Sequence, residues 1–418
     1  MKKCMLWVLI CLCQGAYAQR YEDKVYFSSI HTVLLYNMNE EQSFPVIGLN
    51  SSEKLLLAFD DLSDDTKNLY YTIEHCTADW NSSGLIQNQY LDGFADNPII
   101  DYKFSFNTFQ RYTHYEISFP NEQVSLLLSG NYVIKVFADN DHDRLVLTRR
   151  FMVIDNRLGI DVTFNRSPVI NDRNKKQKLD FIINYGDVRI NNPFDEMKVM
   201  VLQNYRWDNA LYNTRPSFVR ANQLEYNHVD ANIFDGGNEF RRFDMRSVRF
   251  LTERVVKIDE DKTGYQVYIQ EDRSRKSDRF ITDIDMNGNF YIRRREGNNP
   301  SLDADYFTAN FRLNMNGYSA LGDYYVIGKF NDWKISEENK MKYDTDNRVY
   351  TWQAYLKQGI YDYEYAFVAK GSRLADSSPT EGSFFETENR YTILVYQRQT
   401  GSRYDELIGY KEAVANPR

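Results

Sequence analysis

Tyr71-Thr72-Ile73-Glu74-His75-Cys76-Thr77-Ala78-Asp79-Trp80 is the stretch on which the fold turns. Its opening residues alternate between apolar and polar, the two-residue period of a half-buried β-strand. Taken as chemistry, the same residues would offer a Cys–His nucleophile pair oriented by Asp79. The strand period forbids it. His75 and Cys76 are neighbours, so their side chains leave opposite faces, and a base must lie within hydrogen-bond reach of its nucleophile. Cys76 is expected to be a buried small hydrophobe. An aromatic-loaded passage follows, with Tyr90, Gly93, Phe94, Tyr102, Phe104, Phe106, Phe109, Tyr112, His114 and Tyr115, closing on Phe119-Pro120-Asn121. It is too irregular for strand filler and too apolar for a free loop. We expect a preformed docking or sealing element, packed by Tyr90, Phe94, Phe104 and Phe106.

The alternation recurs along the chain, at 54–59, 131–138, 144–154, 178–185, 197–203, 265–270, 324–328, 361–368 and 391–396. Turn signals separate these runs: Ser129-Gly130, Asn287-Gly288, Asn316-Gly317 and Lys370-Gly371. The 32 tyrosines and 26 phenylalanines suit pleated, half-buried surfaces. Short strands at this spacing with little helical period predict an all-β protein of tandem immunoglobulin-like β-sandwich domains. The expected divisions are a leader at 1–18, an acidic sandwich at 19–156, a β-rich domain with long loops at 157–315, and a final sandwich at 316–418.

Lys2 and Lys3, the apolar run 5–12 and the small residues of Ala16-Tyr17-Ala18 form an export signal. Ile10 and Leu12 stand before Cys11 and Cys13, where a lipid-attachment motif needs a small residue, so release in soluble form is expected. Cys76 is then the sole cysteine left, and no internal disulfide can form. Without the leader the balance is 49 basic against 59 acidic groups. The excess lies in the first third, where 19–156 carries 10 basic and 20 acidic residues. That distribution excludes a nucleic-acid partner, which needs a basic surface to displace counterions from phosphates.

Chemical candidates give way to plainer roles. Five scattered histidines and one cysteine provide no close-spaced metal ligands. Asp283-x-Asp285-x-Asn287-Gly288 begins like a calcium loop, yet Arg294 stands at its twelfth position, where a bidentate Glu belongs. Asp139-x-Asp141-x-Asp143 lacks the glycine as well, and both are expected to be turns. Arg293-Arg294-Arg295 and Lys175-Lys176 are expected to be solvated faces. Neither a nucleophile elbow, a zinc-protease helix, a phosphate-binding loop nor a dinucleotide fingerprint occurs. No catalytic residue, cofactor or small-molecule substrate is assigned.

Near the C-terminus, Gly328-Lys329-Phe330-Asn331-Asp332-Trp333, then Trp352 and Gly359-x-Tyr361-x-Tyr363, resemble the early-set immunoglobulin-like module of glycogen-binding proteins. That likeness implies an early-set sandwich. It also implies an alternative function as a periplasmic or surface glycan-binding protein, with Trp333 and Trp352 as candidate sugar-stacking residues.

Across the whole mature chain the pattern resembles the plug proteins of the type IX secretion translocon. The carrying residues are His75-Cys76-x-x-Asp79-Trp80, Tyr90-x-x-Gly93-Phe94, Ser105-Phe106-Asn107-Thr108, Tyr112-Thr113-His114-Tyr115 and Phe119-Pro120-Asn121. This resemblance implies a non-enzymatic periplasmic protein on the inner face of the outer membrane, peripheral to it through protein contacts. Its implied partner is the giant outer-membrane translocon barrel, whose periplasmic opening it would close when no cargo is engaged. His75, Asp79, Trp80, Tyr90, Phe94, Phe109, Tyr112 and His114 are the candidate interface or family-signature residues.

Overall fold

The computed structural model describes residues 20–186 and 188–417; the expected leader lies outside them. The chain forms three β-sandwiches. In the first, one sheet runs Lys24–Val25, Leu145–Ile154, Gly130–Ala138, Leu69–Cys76 and Asn97–Pro98, with Val46–Gly48 alongside Leu145–Ile154. The facing sheet runs Ile30–Asn37, Leu55–Asp61, Thr113–Phe119 and Tyr102–Phe104. Leu55, Leu57, Phe59, Tyr71, Ile73, Tyr115, Ile117, Tyr132, Ile134 and Phe151 fill the space between them, each from the inward parity of its strand.

The second sandwich is assembled from two distant segments. Gly159–Arg166, Lys176–Asn184, Gln223–Tyr226 and Phe218–Val219 make one sheet, joined by Ile233–Asp235. Met197–Gln203 makes the other by pairing with Asn389–Gln397, which pairs in turn with Glu406–Ala415. The third sandwich lies between those segments in the chain. Arg241–Asp244, Gly359–Ala369, Phe290–Ile292 and Gly322–Ile327 face a sheet of Val255–Asp261, Gly264–Ile269, Tyr306–Asn314, Val349–Lys357 and Lys342–Asp344.

The expected division at 315/316 therefore does not hold. Tyr306–Asn314 pairs with Val349–Lys357 across it, and the last two strands of the chain complete the second sandwich. Strand partners here lie as far apart as Met197 and Gln397, and a two-residue alternation names a strand's faces but not its neighbour.

The same strands explain why the first two units pack as one body. Val199 and Val201 enter the core of the second sandwich, while Met200 and Leu202 leave by the opposite face. Tyr391, Ile393 and Val395 divide from Leu394 and Tyr396 in the same way. Those outward residues meet Val133, Met152, Cys76, Ala78 and Trp80 from the back of the first sandwich, forming a second apolar layer between domains. Sheets buried on both faces read as nearly continuous apolar runs, as Met197–Gln203 does.

No helix among the described residues is long and apolar enough to cross a membrane. Trp80 is the largest side chain in the shared layer and is wholly buried. Trp80→Ala is expected to cost about 3–5 kcal/mol, read from the shift in denaturant midpoint; a loss below about 1 kcal/mol would mean that this layer does not hold the first two sandwiches together.

Candidate docking surface and the joints that frame it

The strand Leu69–Cys76 delivers His75 and Cys76 to opposite faces. Cys76 enters the shared apolar layer, where burial pushes its thiol far above the ordinary range. His75 points into the first sandwich among Tyr90, Tyr132 and Tyr404, at ring separations of 5.9, 4.9 and 5.6 Å. Burial pulls its pKa down to about 4, opposed by the Ser129 carbonyl at 3.4 Å and by the charge of Asp405. Gly130 has φ +140, and a β-carbon there would lie 2.7 Å from His75 Nε2. Only glycine lets that strand begin against the imidazole.

The residues that follow make the joint to the second sandwich. The Ala78 amide donates to Asp405 Oδ2 at 2.8 Å, and Asp79 accepts from Lys198 Nζ at 2.9 Å. Tyr396 donates its hydroxyl to Asn131, whose amide nitrogen donates back to the Thr77 and Ala78 carbonyls. Trp80 meets Trp207 edge to face at 5.1 Å, with the Arg150 guanidinium 5.1 and 4.9 Å from the two rings. Its backbone is left-handed at φ +65, a cost of about 1–2 kcal/mol for a residue with a β-carbon that the burial of the indole outweighs.

A second set of family residues makes the joint to the third sandwich. The Phe106 amide donates to the Leu302 carbonyl at 2.9 Å, and the Phe109 and Gln110 amides donate to Asp305 at 2.6 and 3.1 Å. Tyr112 donates its hydroxyl to the Ala304 and Ser301 carbonyls. Beneath it lies Asp60, fully buried. Its carboxylate accepts from His114 Nδ1 at 2.6 Å, from the Tyr306 hydroxyl at 2.6 Å and from Lys357 Nζ at 2.7 Å.

Burial raises the Asp60 pKa, but Lys357 and His114 together hold it below the usual carboxylate range. Burial lowers the His114 pKa, yet hydrogen bonds to Asp60 and Glu116 at its two ring nitrogens raise it overall. For Lys357, burial outweighs the pull of Asp60 and the pKa falls. Asp60, Lys357 and Tyr306 carry no local motif. Their one trace in the sequence is an acid pair, Asp60-Asp61, ending the apolar run 55–59.

Of the expected packing residues, Tyr90 is buried, whereas Phe94, Phe104 and Phe106 are largely exposed. The loop is held by Tyr90 and Tyr112 and by the backbone bonds above, so its other rings are free to face outward. His75, Trp80, Tyr90, Tyr112 and His114 are buried within the body and present nothing to a partner. Asp79 is half-buried against Lys198, and Phe109 keeps part of its ring exposed while meeting Tyr265 at 5.1 Å. The outward apolar set is thus Phe94, Ile100, Tyr102, Phe104, Phe106 and Phe109.

Tyr102–Phe104 is an outermost strand paired on one side only, blunted in its middle by exposed Lys103. A hollow of about 430 Å³ lies beside Phe104, Phe106 and Arg111, and another of about 500 Å³ beside Ile100, Asp101 and Glu116. Exposed apolar rings beside charged side chains have the character of an interaction face.

The sugar-stacking pair does not assemble. Trp333 is buried against Phe240 under the Arg206 guanidinium, 4.2 Å from its ring. Asn287 and Gly288, at φ +52 and +82, form the expected turn, and a β-carbon on Gly288 would strike the Trp333 ring at 2.1 Å. Trp352 is half-buried on Phe311 and donates its indole N–H to the Glu338 carbonyl.

Two outcomes test the joints. Lys357→Met leaves a buried carboxylate short of a cation and is expected to cost about 3–5 kcal/mol, measured by urea unfolding; a cost below about 1 kcal/mol would remove the cluster from any structural role. The second concerns pH. Unfolded His75 protonates near pH 6.5 and the folded residue near about 4, so its contribution is complete above the first value and declines as pH falls toward the second. His114 has the opposite sign: its pKa is raised on folding, so its contribution is complete below the unfolded value and fades as pH rises through the folded one. Between pH 7 and 5 the His75→Gln variant should lose less stability than the parent; equal losses would show that His75 is not held neutral.

The model of the type 9 secretion system plug protein 1st domain matches residues 30–155. Among solved structures, a hypothetical protein from Parabacteroides merdae ATCC 43184 is 31% identical with a TM-score of 0.91, over 95% of this chain and 100% of that one. An alkylpurine DNA glycosylase from Pseudomonas fluorescens (11% identity, TM-score 0.17, 30% of each chain) and an enterococcal surface protein N-terminal region (7%, TM-score 0.20, 95% and 98%) are too unlike to bear on fold or function. No curated protein matches the chain.

Proposed function

The chain belongs to the type 9 secretion system plug proteins, and we propose that it binds the periplasmic opening of the outer-membrane translocon barrel and closes it when no cargo is engaged. In this reading it is a non-enzymatic periplasmic component, held at the inner face of the outer membrane by its contact with the barrel. The observation that carries the proposal is the outward aromatic set from Phe94 to Phe109 on a body whose domains are fastened by buried bonds. A seal across a wide opening needs a surface that keeps its shape under load. Hinged domains would instead let the opening leak, and motion is the default where interfaces are small and polar.

The seal must also release. An apolar patch interrupted by Lys103 and rimmed by Asp101, Glu116 and Arg111 suits a contact of moderate area and strength rather than a permanent one. The acidic excess of residues 19–156 suits a partner whose facing loops are basic.

Tagged protein extracted in mild detergent should bring down a very large outer-membrane barrel. Phe94→Asp and Phe106→Asp each place a charge on exposed positions and should lower that recovery by at least about tenfold, equivalent to about 1.4 kcal/mol, with an unchanged melting temperature. Deletion should make the outer membrane permeable to large solutes. Absence of the barrel from the eluate, or an unchanged permeability, would overturn the proposal.

A further inference from the structure

The loops at one end of the third sandwich carry a second apolar feature, distinct from the aromatic set of the first. Residues 315–321 and 370–374 lie side by side, with the Lys370 amide donating to the Leu321 carbonyl at 2.8 Å. Leu321 and Leu374 are 77% and 81% exposed, and Tyr318, on the same loop as Leu321, is exposed with its ring tilted against Tyr343. Leu374 is held in place by a turn in which its amide donates to Ser372 Oγ at 3.0 Å. No core residue calls for leucine at either position.

The charges on these loops are one-sided. Lys370 and Arg373 make no ion pair among the described residues; the acids nearest in sequence are Asp323, paired with a lysine, and Asp376, which keeps its charge. Asp323 accepts from Lys340 at 2.8 Å, and Asp376 accepts the Ser378 amide at 2.8 Å. The wider surroundings are mixed, with Lys342 and Arg348 beside Asp344 and Asp346 on the neighbouring hairpin. The two loops themselves thus carry two cations and no acid beside two exposed leucines and a tyrosine.

We propose that this loop tip contacts an anionic phospholipid surface, with Leu321 and Leu374 entering the headgroup boundary and Lys370 and Arg373 meeting phosphates. Exposure favours lipid over protein. Both leucines are more than three-quarters exposed, and a leucine meeting a protein partner would need a receiving pocket, whereas an acyl boundary accepts it anywhere. Tyrosine beside them suits the polar–apolar transition of an interface. Basic groups close to an anionic leaflet each add attraction that falls off within a Debye length. This contact is independent of the barrel seal proposed above and would add a second, weaker attachment to the same membrane.

Purified full-length protein should co-sediment with vesicles of phosphatidylethanolamine and phosphatidylglycerol more than with phosphatidylcholine alone. Lys370→Gln and Arg373→Gln should each lower vesicle affinity about fivefold, and Leu321→Ser with Leu374→Ser should abolish binding while leaving the melting temperature and barrel recovery in place. Equal sedimentation with both vesicle types, or binding that survives the double leucine change, would overturn the lipid assignment. So would a leucine variant that fails to recover the barrel while the parent never binds vesicles, since that result would make the tip a protein contact. Vesicle binding without barrel recovery in the parent would leave the lipid contact standing and remove the plug proposal.

Discussion

A fully buried carboxylate needs company, and Asp60 finds it across a domain boundary. Its oxygens accept from His114 in its own sandwich and from Tyr306 and Lys357 in the third. Separating the two sandwiches would leave Asp60 and Lys357 without each other, and an uncompensated buried charge costs several kcal/mol. Apolar contact alone would hold the seam as strongly but would tolerate sliding. Directional bonds to one carboxylate fix a single register, which is the best-attested use of buried polar groups.

The joint to the second sandwich is built differently. There the geometry rests on strands whose two faces feed two cores, with Trp80 wedged between Trp207 and Arg150. Bonds at its margin, from Ala78 to Asp405 and from Asp79 to Lys198, set the approach. Between them, the two joints use His75-Cys76-x-x-Asp79-Trp80 and Tyr112-Thr113-His114, the most distinctive residues of the first sandwich. What looked like reactive chemistry is fastening. The residues from Phe94 to Phe104 gain their outward position because the chain is held on either side of them, while Phe106 and Phe109 are fixed by their own backbone bonds to the third sandwich.

Much of the fold was legible. Alternation located Met197–Gln203 to the residue and the other eight runs it marked to within one or two positions, because each face of a strand meets a different medium. The adjacency of His75 and Cys76 was enough to exclude a shared proton. Exposure within the aromatic passage was not legible: Tyr90 and Phe94 are both large and apolar, and only the bonds made by neighbouring backbone decide which is covered. Nor was Trp333 separable from a sugar platform until Phe240 and Arg206 were found on its ring.

The sequence by itself determined an all-β chain, its strand faces, the inertness of Cys76 and the turn at Asn287-Gly288, since each follows from neighbours a few residues apart. Only the tertiary structure decided that Asn389–Gln397 completes a sheet begun at Met197–Gln203, that Asp60 meets Lys357, and which aromatics face outward. Those outcomes depend on pairings between residues that lie hundreds of positions apart. Local periodicity carries no record of such partners, because a strand's alternation is the same whichever strand lies beside it.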